Sequence, residues 1–181
     1  MKMIKSICVF CSTFNPENRF LVEVGILGKI FAEKKIKIIY GGGNKGLMGH
    51  LAKSVIKNNG SVTGVVPKFL LNEVKSDIGL SELIVADNMH DRKMKMYSLS
   101  DAFLVLPGGI GTLDEMTEVL TWNQLTIHNK SLIIANFENY WLPYLNLLNH
   151  LNENKFLNNL LKLNFQVANN TEEIVGLIDM K

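Results

Sequence analysis

The chain has little of several things that would announce a function. It has two cysteines in 181 residues, Cys8 and Cys11 in C-V-F-C. Such a pair suggests a redox couple or half of a zinc site. A zinc site needs a second C-x-x-C or a close histidine pair, and His50, His90, His128 and His150 are scattered singly. If residues 5 to 10 form a strand, a spacing of three also turns the two thiols to opposite faces. No metal is expected. Charge of one sign is lacking as well: 19 Lys plus Arg against 17 Asp plus Glu leave a net charge of +2, with no general pull toward nucleic acid or an anionic membrane. Any anion must be held by a local site. No segment approaches the roughly 18 uncharged apolar residues of a membrane-spanning helix. The first ten residues, M-K-M-I-K-S-I-C-V-F, hold a four-residue apolar run, shorter than the about 7 to 15 of a secretory signal. The expectation is a soluble, cytoplasmic protein.

Hydrophobic side chains are abundant, at 47% against 20% charged, and the length suits one globular domain over residues 1–181. Apolar runs rich in β-branched residues recur at Ile7 to Phe10, Ile36 to Tyr40, Val62 to Val66, Leu83 to Ala86, Ala102 to Leu106 and Leu132 to Ala135. Near-continuous apolar runs mark strands covered on both faces. Between them, helical spacing links Phe20, Val24, Leu27 and Phe31, then Leu47, Leu51 and Val55. A third face runs through Leu142, Leu145, Leu148 and Leu151, with Pro143 in its first turn. The alternation predicts an α/β fold, a doubly wound parallel sheet with helices on both faces. Residues 146–170, rich in Asn, read as a polar-faced helix and connector.

In such folds ligands sit at the carboxyl ends of the strands, which directs attention to two glycine-rich turns. Y-G-G-G-N-K-G-L-M-G, residues 40–49, follows the second strand. Its spacing is not G-x-G-x-x-G, and Lys45 is followed by Gly46 and Leu47, so neither a dinucleotide fingerprint nor a triphosphate loop fits. A tight turn with or without a ligand remains open there.

L-P-G-G-I-G-T-L-D-E, residues 106–115, is more specific. Gly108, Gly109 and Gly111 free the backbone amides at a helix start, where roughly half a positive charge and unpaired N–H groups suit a phosphate; Thr112 can add a hydroxyl. Glu115 is expected in the first turn of that helix. The helix dipole would favour its ionised form, whereas a bound phosphate or burial would raise its pKa. A carboxylate beside a sugar phosphate can stabilise a sugar cation, orient water or bind ribose hydroxyls. The alternative is that Asp114, Glu115 and Glu118 only complement the dipole. In D-N-M-H-D-R-K-M-K-M, residues 87–96, Asp87 or Asn88 is a plausible N-cap, which places Arg92 and Lys93 early on a helix. Basic residues there oppose the dipole, which points Arg92 at an anion or a carboxylate; a solvated arginine is the alternative.

Taken together, C-V-F-C-S at 8–12, Y-G-G-G-N-K-G-L-M-G at 40–49, G-V-V-P-K-F-L at 64–70, M-H-D-R-K-M-K-M at 89–96, P-G-G-I-G-T-L-D-E at 107–115 and L-T-W-N-Q-L-T-I-H-N-K at 120–130 resemble the LONELY GUY (LOG) family. These cytokinin-activating nucleoside 5′-monophosphate phosphoribohydrolases have long been mislabelled lysine decarboxylases. The resemblance runs from residue 5 to about 145. It implies a Rossmann-like fold, a homodimer with active sites near the subunit interface, no cofactor, and hydrolysis of the N-glycosidic bond of AMP or an N6-modified AMP to free base and ribose 5-phosphate. It places the catalytic pair on Arg92 and Glu115, the phosphate loop on Gly108, Gly109, Gly111 and Thr112, and the edge of the nucleotide pocket on Gly41, Gly42 and Gly43. Met89 and Lys93 of the M-H-x-R-K motif join the substrate-binding set. Two departures stand out: Cys11-Ser12-Thr13-Phe14 replaces the usual C-G-S-S, and Asp91 replaces the usual glutamate. A non-catalytic nucleotide carrier or sensor of the same fold is the competing class.

Overall fold

The computed structural model describes residues 3–14, 17–72, 79–157 and 163–180. Its strands are β1 (Ser6–Phe10), β2 (Lys37–Tyr40), β3 (Val62–Pro67), β4 (Glu82–Ala86), β5 (Ala102–Val105), β6 (Leu132–Ala135) and β7 (Phe165–Ala168). They form one parallel sheet in the order β4-β3-β2-β1-β5-β6-β7. The helices are α1 (Asn18–Glu33), α2 (Gly46–Lys57), α3 (Met89–Ser98), α4 (Ile110–Gln124), α5 (Leu142–Glu153) and α6 (Thr171–Asp179).

The central strands show why apolar runs, not alternation, mark this sheet. In β1, Ile7 and Val9 join the apolar layer under α1, α2 and α6, while Cys8 and Phe10 join the layer under α3, α4 and α5. Both faces are covered, as the doubly wound reading expects. Cys8 and Cys11 fall in opposite layers, and both thiols are free and buried. Among the described residues no group of three or more His, Cys, Asp or Glu could hold a metal ion. Among the described residues, too, no helix is long and apolar enough to cross a membrane.

The Asn-rich stretch differs from its expectation. Helix α5 ends at Glu153, residues 158–162 of the stretch lie outside the described residues, and Phe165–Ala168 is a strand paired with β6. As the outermost strand it is less covered than the central ones, and it carries Gln166. It therefore lacks the unbroken apolar signature of a central strand.

The chain steps outward from β1 through β2 and β3 to β4, then returns to lay β5 against the other side of β1. This reversal opens a crevice between the carboxyl ends of β1 and β5, where doubly wound sheets bind ligands. There Ser12 N–H donates to the Pro107 carbonyl at 3.2 Å and Met48 N–H to the Ser12 carbonyl at 3.1 Å. These bonds tie the loops after β1 and β5 to the start of α2.

Candidate active site

Arg92 reaches the crevice from α3. Asn88 caps that helix by accepting from Asp91 N–H at 2.9 Å, and the Asp91 carboxylate returns to accept from Asp87 N–H at 2.8 Å. This reciprocal capping places Arg92 in the second turn's approach to the sheet, and the shortened Asp91 still performs it. Arg92 Nε donates to the Val65 carbonyl of β3 at 3.2 Å, and Nη2 stands 3.9 Å from Glu115 Oε1. The two side chains are only 11% and 10% exposed. The arginine that opposed its own helix dipole thus meets a carboxylate.

Glu115 is the sixth residue of α4, whose N-cap is Gly109, so it lies in the second turn and not the first. The dipole weakens beyond the first turn, and burial dominates instead. Desolvation pushes the Glu115 carboxyl from its ordinary 4.5 to about 7; Arg92 draws it down and neighbouring Asp114 pushes it up. Of the two opposed influences the sequence left open, burial prevails over the dipole: near neutral pH the residue is poised between acid and carboxylate.

At the start of α4, Gly109 has an extended N-cap backbone and no side-chain cap, so no side chain among the described residues satisfies the first amides. A β-carbon at Gly109 or Gly111 would meet nothing within 4 Å. Gly108 differs: Thr112, 3% exposed, packs where its β-carbon would be. The Thr112 hydroxyl is thus turned back against the turn, a placement the spacing did not reveal.

The other predicted residues are arranged less simply. Gly41 leaves room for the Arg92 guanidinium, which a β-carbon would strike, and Gly43 faces the Met48 sulfur. Gly42 takes a φ of 80°, which favours glycine. Met89 is partly exposed, its sulfur 3.9 Å from Arg92 Nη1. Lys93 spends its ammonium within the protein, on Asp114 Oδ2 at 3.2 Å and Glu118 Oε1 at 3.1 Å. Burial works against that charge, but the bonds to Glu118 and Asp114 carry its pKa above the ordinary value. Glu118 also accepts from Tyr97 Oη at 2.6 Å. Lys93 therefore ties α3 to α4 beside the pair, and Asp114 is its partner and not a dipole-complementing residue.

Beside Gly108 lies a cavity of about 330 Å³ lined by Ser12, Phe14, Leu47, Pro107 and Tyr140 among others. Phe14, in the departure from C-G-S-S, is 81% exposed at its rim. Tyr140 was not singled out in the sequence. It follows β6 and reaches across 32 residues to the Gly108 carbonyl, a contact without a local signal.

Residues 48–178 match a family model described as "Possible lysine decarboxylase". A cytokinin riboside 5′-monophosphate phosphoribohydrolase of Rhodococcoides fascians is 39% identical over 148 residues, covering 81% of this chain and 75% of that protein. The Arabidopsis thaliana cytokinin riboside 5′-monophosphate phosphoribohydrolase LOG7 is 36% identical over 176 residues, 97% of this chain and 81% of its own length. Among solved structures, the structural-genomics target TM1055 superposes with a TM-score of 0.77 at 21% identity, covering 98% of this chain and 99% of its own. A molybdenum cofactor carrier protein from Chlamydomonas reinhardtii reaches 0.72 at 20%, covering 97% and 96%. At these identities the two structures speak to the fold alone. The sequence relatives speak to more: identity over most of both chains, joined to the M-H-x-R-K and P-G-G-x-G-T-x-x-E motifs at one crevice, places this chain in the LONELY GUY family.

Proposed function

We propose that this chain hydrolyses the N-glycosidic bond of a nucleoside 5′-monophosphate, a cytokinin riboside monophosphate or AMP, to free base and ribose 5-phosphate. The observation that carries this reading is the buried Arg92–Glu115 pair, set two helical turns or less from a glycine-lined helix start whose first amides have no side-chain cap. A phosphate seated on the amides of residues 109–112 fixes the sugar with its anomeric carbon toward Glu115. As the bond from C1′ to the base nitrogen breaks, the electron pair leaves with the base and positive charge grows on the sugar. Glu115 as carboxylate stabilises that charge and takes a proton from the water whose oxygen bonds to C1′; that proton passes on to the departed base nitrogen, which gives the free base and restores the carboxylate. Arg92 keeps the carboxylate accessible in a site whose burial opposes it.

Positioned proton transfer supplies about 10² to 10⁴ in rate, so the phosphate anchor and the charge arrangement carry the remainder. Neither a metal nor an organic cofactor enters these steps. The lysine decarboxylase label would need a lysine free to form a Schiff base. Lys93, the lysine of the family motif, does not offer one, being held as an ammonium by two carboxylates, and an absorbance scan for bound pyridoxal phosphate tests the label for the chain as a whole.

The same reading treats the chain as a single nucleotide-binding domain that acts in the cytoplasm as a homodimer. Leu83 and Val85, both exposed and two residues apart on one face of the outer strand β4, support the pairing, since grouped exposed apolar side chains mark contact surfaces. Incubation with AMP and with N6-isopentenyl-AMP, followed by chromatography, should yield free base and ribose 5-phosphate. Tight nucleotide binding without either product would instead make the chain a carrier or sensor.

A further inference from the structure

The loop between β6 and α5 enters the crevice by an unusual backbone. Glu138 and Asn139 both take the left-handed conformation, with φ of 52° and 59°, rare for consecutive residues other than glycine. The buried Asn136 holds this turn: its side-chain oxygen accepts from Trp141 N–H at 2.9 Å, and its amide nitrogen donates to Asn139 Oδ1 at 3.5 Å and Asn169 Oδ1 at 3.4 Å. The turn delivers one side chain to the crevice. Tyr140 lays its ring edge-on to Phe20, with centroids 5.8 Å apart, and its hydroxyl donates to the Gly108 carbonyl at 2.7 Å.

The peptide that receives this bond lies between two glycines, Gly108 and Gly109. With no β-carbon on either side, it is the least constrained plane of the turn. A trans peptide directs its carbonyl and its N–H to opposite sides. A hydroxyl that fixes the Gly108 oxygen therefore also fixes the Gly109 N–H, aiming it away from Tyr140 beside the uncapped amides of residues 110–112. It also occupies a carbonyl lone pair that would repel an incoming phosphate if the plane turned over.

We propose that Tyr140 is a positioning residue that sets the affinity for the 5′-phosphate by holding the Gly108–Gly109 peptide in its anion-accepting orientation. This rests on the phosphate-docking reading above and extends it to a residue outside both family motifs. Tyr140 does its work through the backbone, so its loss should weaken binding of the phosphate portion and leave the chemical step alone.

The test compares Tyr140→Phe, which keeps the ring on Phe20, with wild type and with Tyr144→Phe. The latter loses a hydroxyl that meets Thr117, in the body of α4, at 3.2 Å. Ribose 5-phosphate affinity is read by titration calorimetry, and KM and kcat with AMP by product release. Tyr140→Phe should weaken ribose 5-phosphate about five- to tenfold, the range of one lost hydrogen bond, and raise the KM for AMP by the same factor with kcat within twofold. Tyr144→Phe should change neither beyond twofold. Unchanged ribose 5-phosphate affinity in Tyr140→Phe, or a fall in kcat at constant KM, would overturn the proposal even while wild type cleaves AMP. Wild type that binds ribose 5-phosphate and AMP without cleaving AMP would sink the hydrolase reading, yet weaker binding by Tyr140→Phe would still support the tyrosine's role. Binding of neither ligand by wild type would overturn both.

Discussion

The turn after β2 and the turn after β5 are written in nearly the same letters, but their glycines face opposite surroundings. In the first, the space a β-carbon would fill is already taken: Arg92 lies over Gly41, Met48 over Gly43, and the backbone of Thr13 and Phe14 over Gly46. In the second, Thr112 closes on Gly108, and nothing stands over Gly109 or Gly111. The first turn uses glycine to let the protein pack its own arginine beside the site, and the second uses it to leave room for something else. What a glycine does is decided by what stands where its side chain would be.

Mutations can press on that difference. Gly41→Ala should cost the most, because the added methyl collides with the end of the Arg92 side chain. A flexible guanidinium can move aside, so stability should change little, but a displacement of about 1 Å at a catalytic group typically costs about 10²-fold in rate. Steady-state kinetics on AMP beside a thermal melt would check both halves. A Gly41→Ala enzyme with wild-type kcat would break the assignment of this turn to Arg92.

The partner of that arginine should show its effect in stability as well as in rate. Glu115 has a folded pKa of about 7 against an ordinary 4.5. Between these values the unfolded chain has released a proton that the folded chain still binds, so stability falls as pH rises from about 4.5 to about 7 and stays lower above. Glu115→Gln removes this cost. Offset by the loss of a partner for Arg92, it should be about 1–3 kcal/mol more stable than wild type at pH 8, with the gain fading toward pH 4. Urea denaturation at the two pH values measures it.

The smallest effect is expected at Gly111→Ala. The methyl enters open space in the first turn of α4, where alanine is favoured over glycine by about 0.5–1 kcal/mol. The melting temperature should rise slightly while the KM for AMP rises several-fold, if the open space is where the phosphate approaches, as proposed. A gain in stability without any change in KM would make Gly111 a glycine without a ligand.

The contrast also shows how far the residues alone could be read. The central strands were legible because burial on both faces writes itself as unbroken apolar runs, and β1, with Cys8 and Val9 buried in opposite layers, is the clearest case. Strand β7 was not, since an edge strand containing Gln166 inside an Asn-rich stretch carries no such signature. At the site, the oddly placed Arg92 announced a partner, and Glu115 was recognisable by motif. Its helical turn was misplaced because the spacing does not say that α4 begins only after Gly109, and its burial, left open by the residues, depends on the packing of distant elements. Lys93 shared the motif with Arg92 but is bound by Asp114 and Glu118 of another helix. Tyr140 had no local pattern at all, its partner being 32 residues away. Local rules locate a site; contacts between distant elements determine what each residue in it is free to do.

The central claim is that the Glu115 carboxylate, held by Arg92, stabilises the sugar as the base departs. The most direct measurement is single-turnover cleavage of AMP by Glu115→Gln at saturating enzyme, with ribose 5-phosphate affinity measured on the same preparation. The expected result is affinity within a few-fold of wild type and a cleavage rate lower by about 10² to 10⁴. Cleavage at the wild-type rate by a protein without that carboxylate would contradict it.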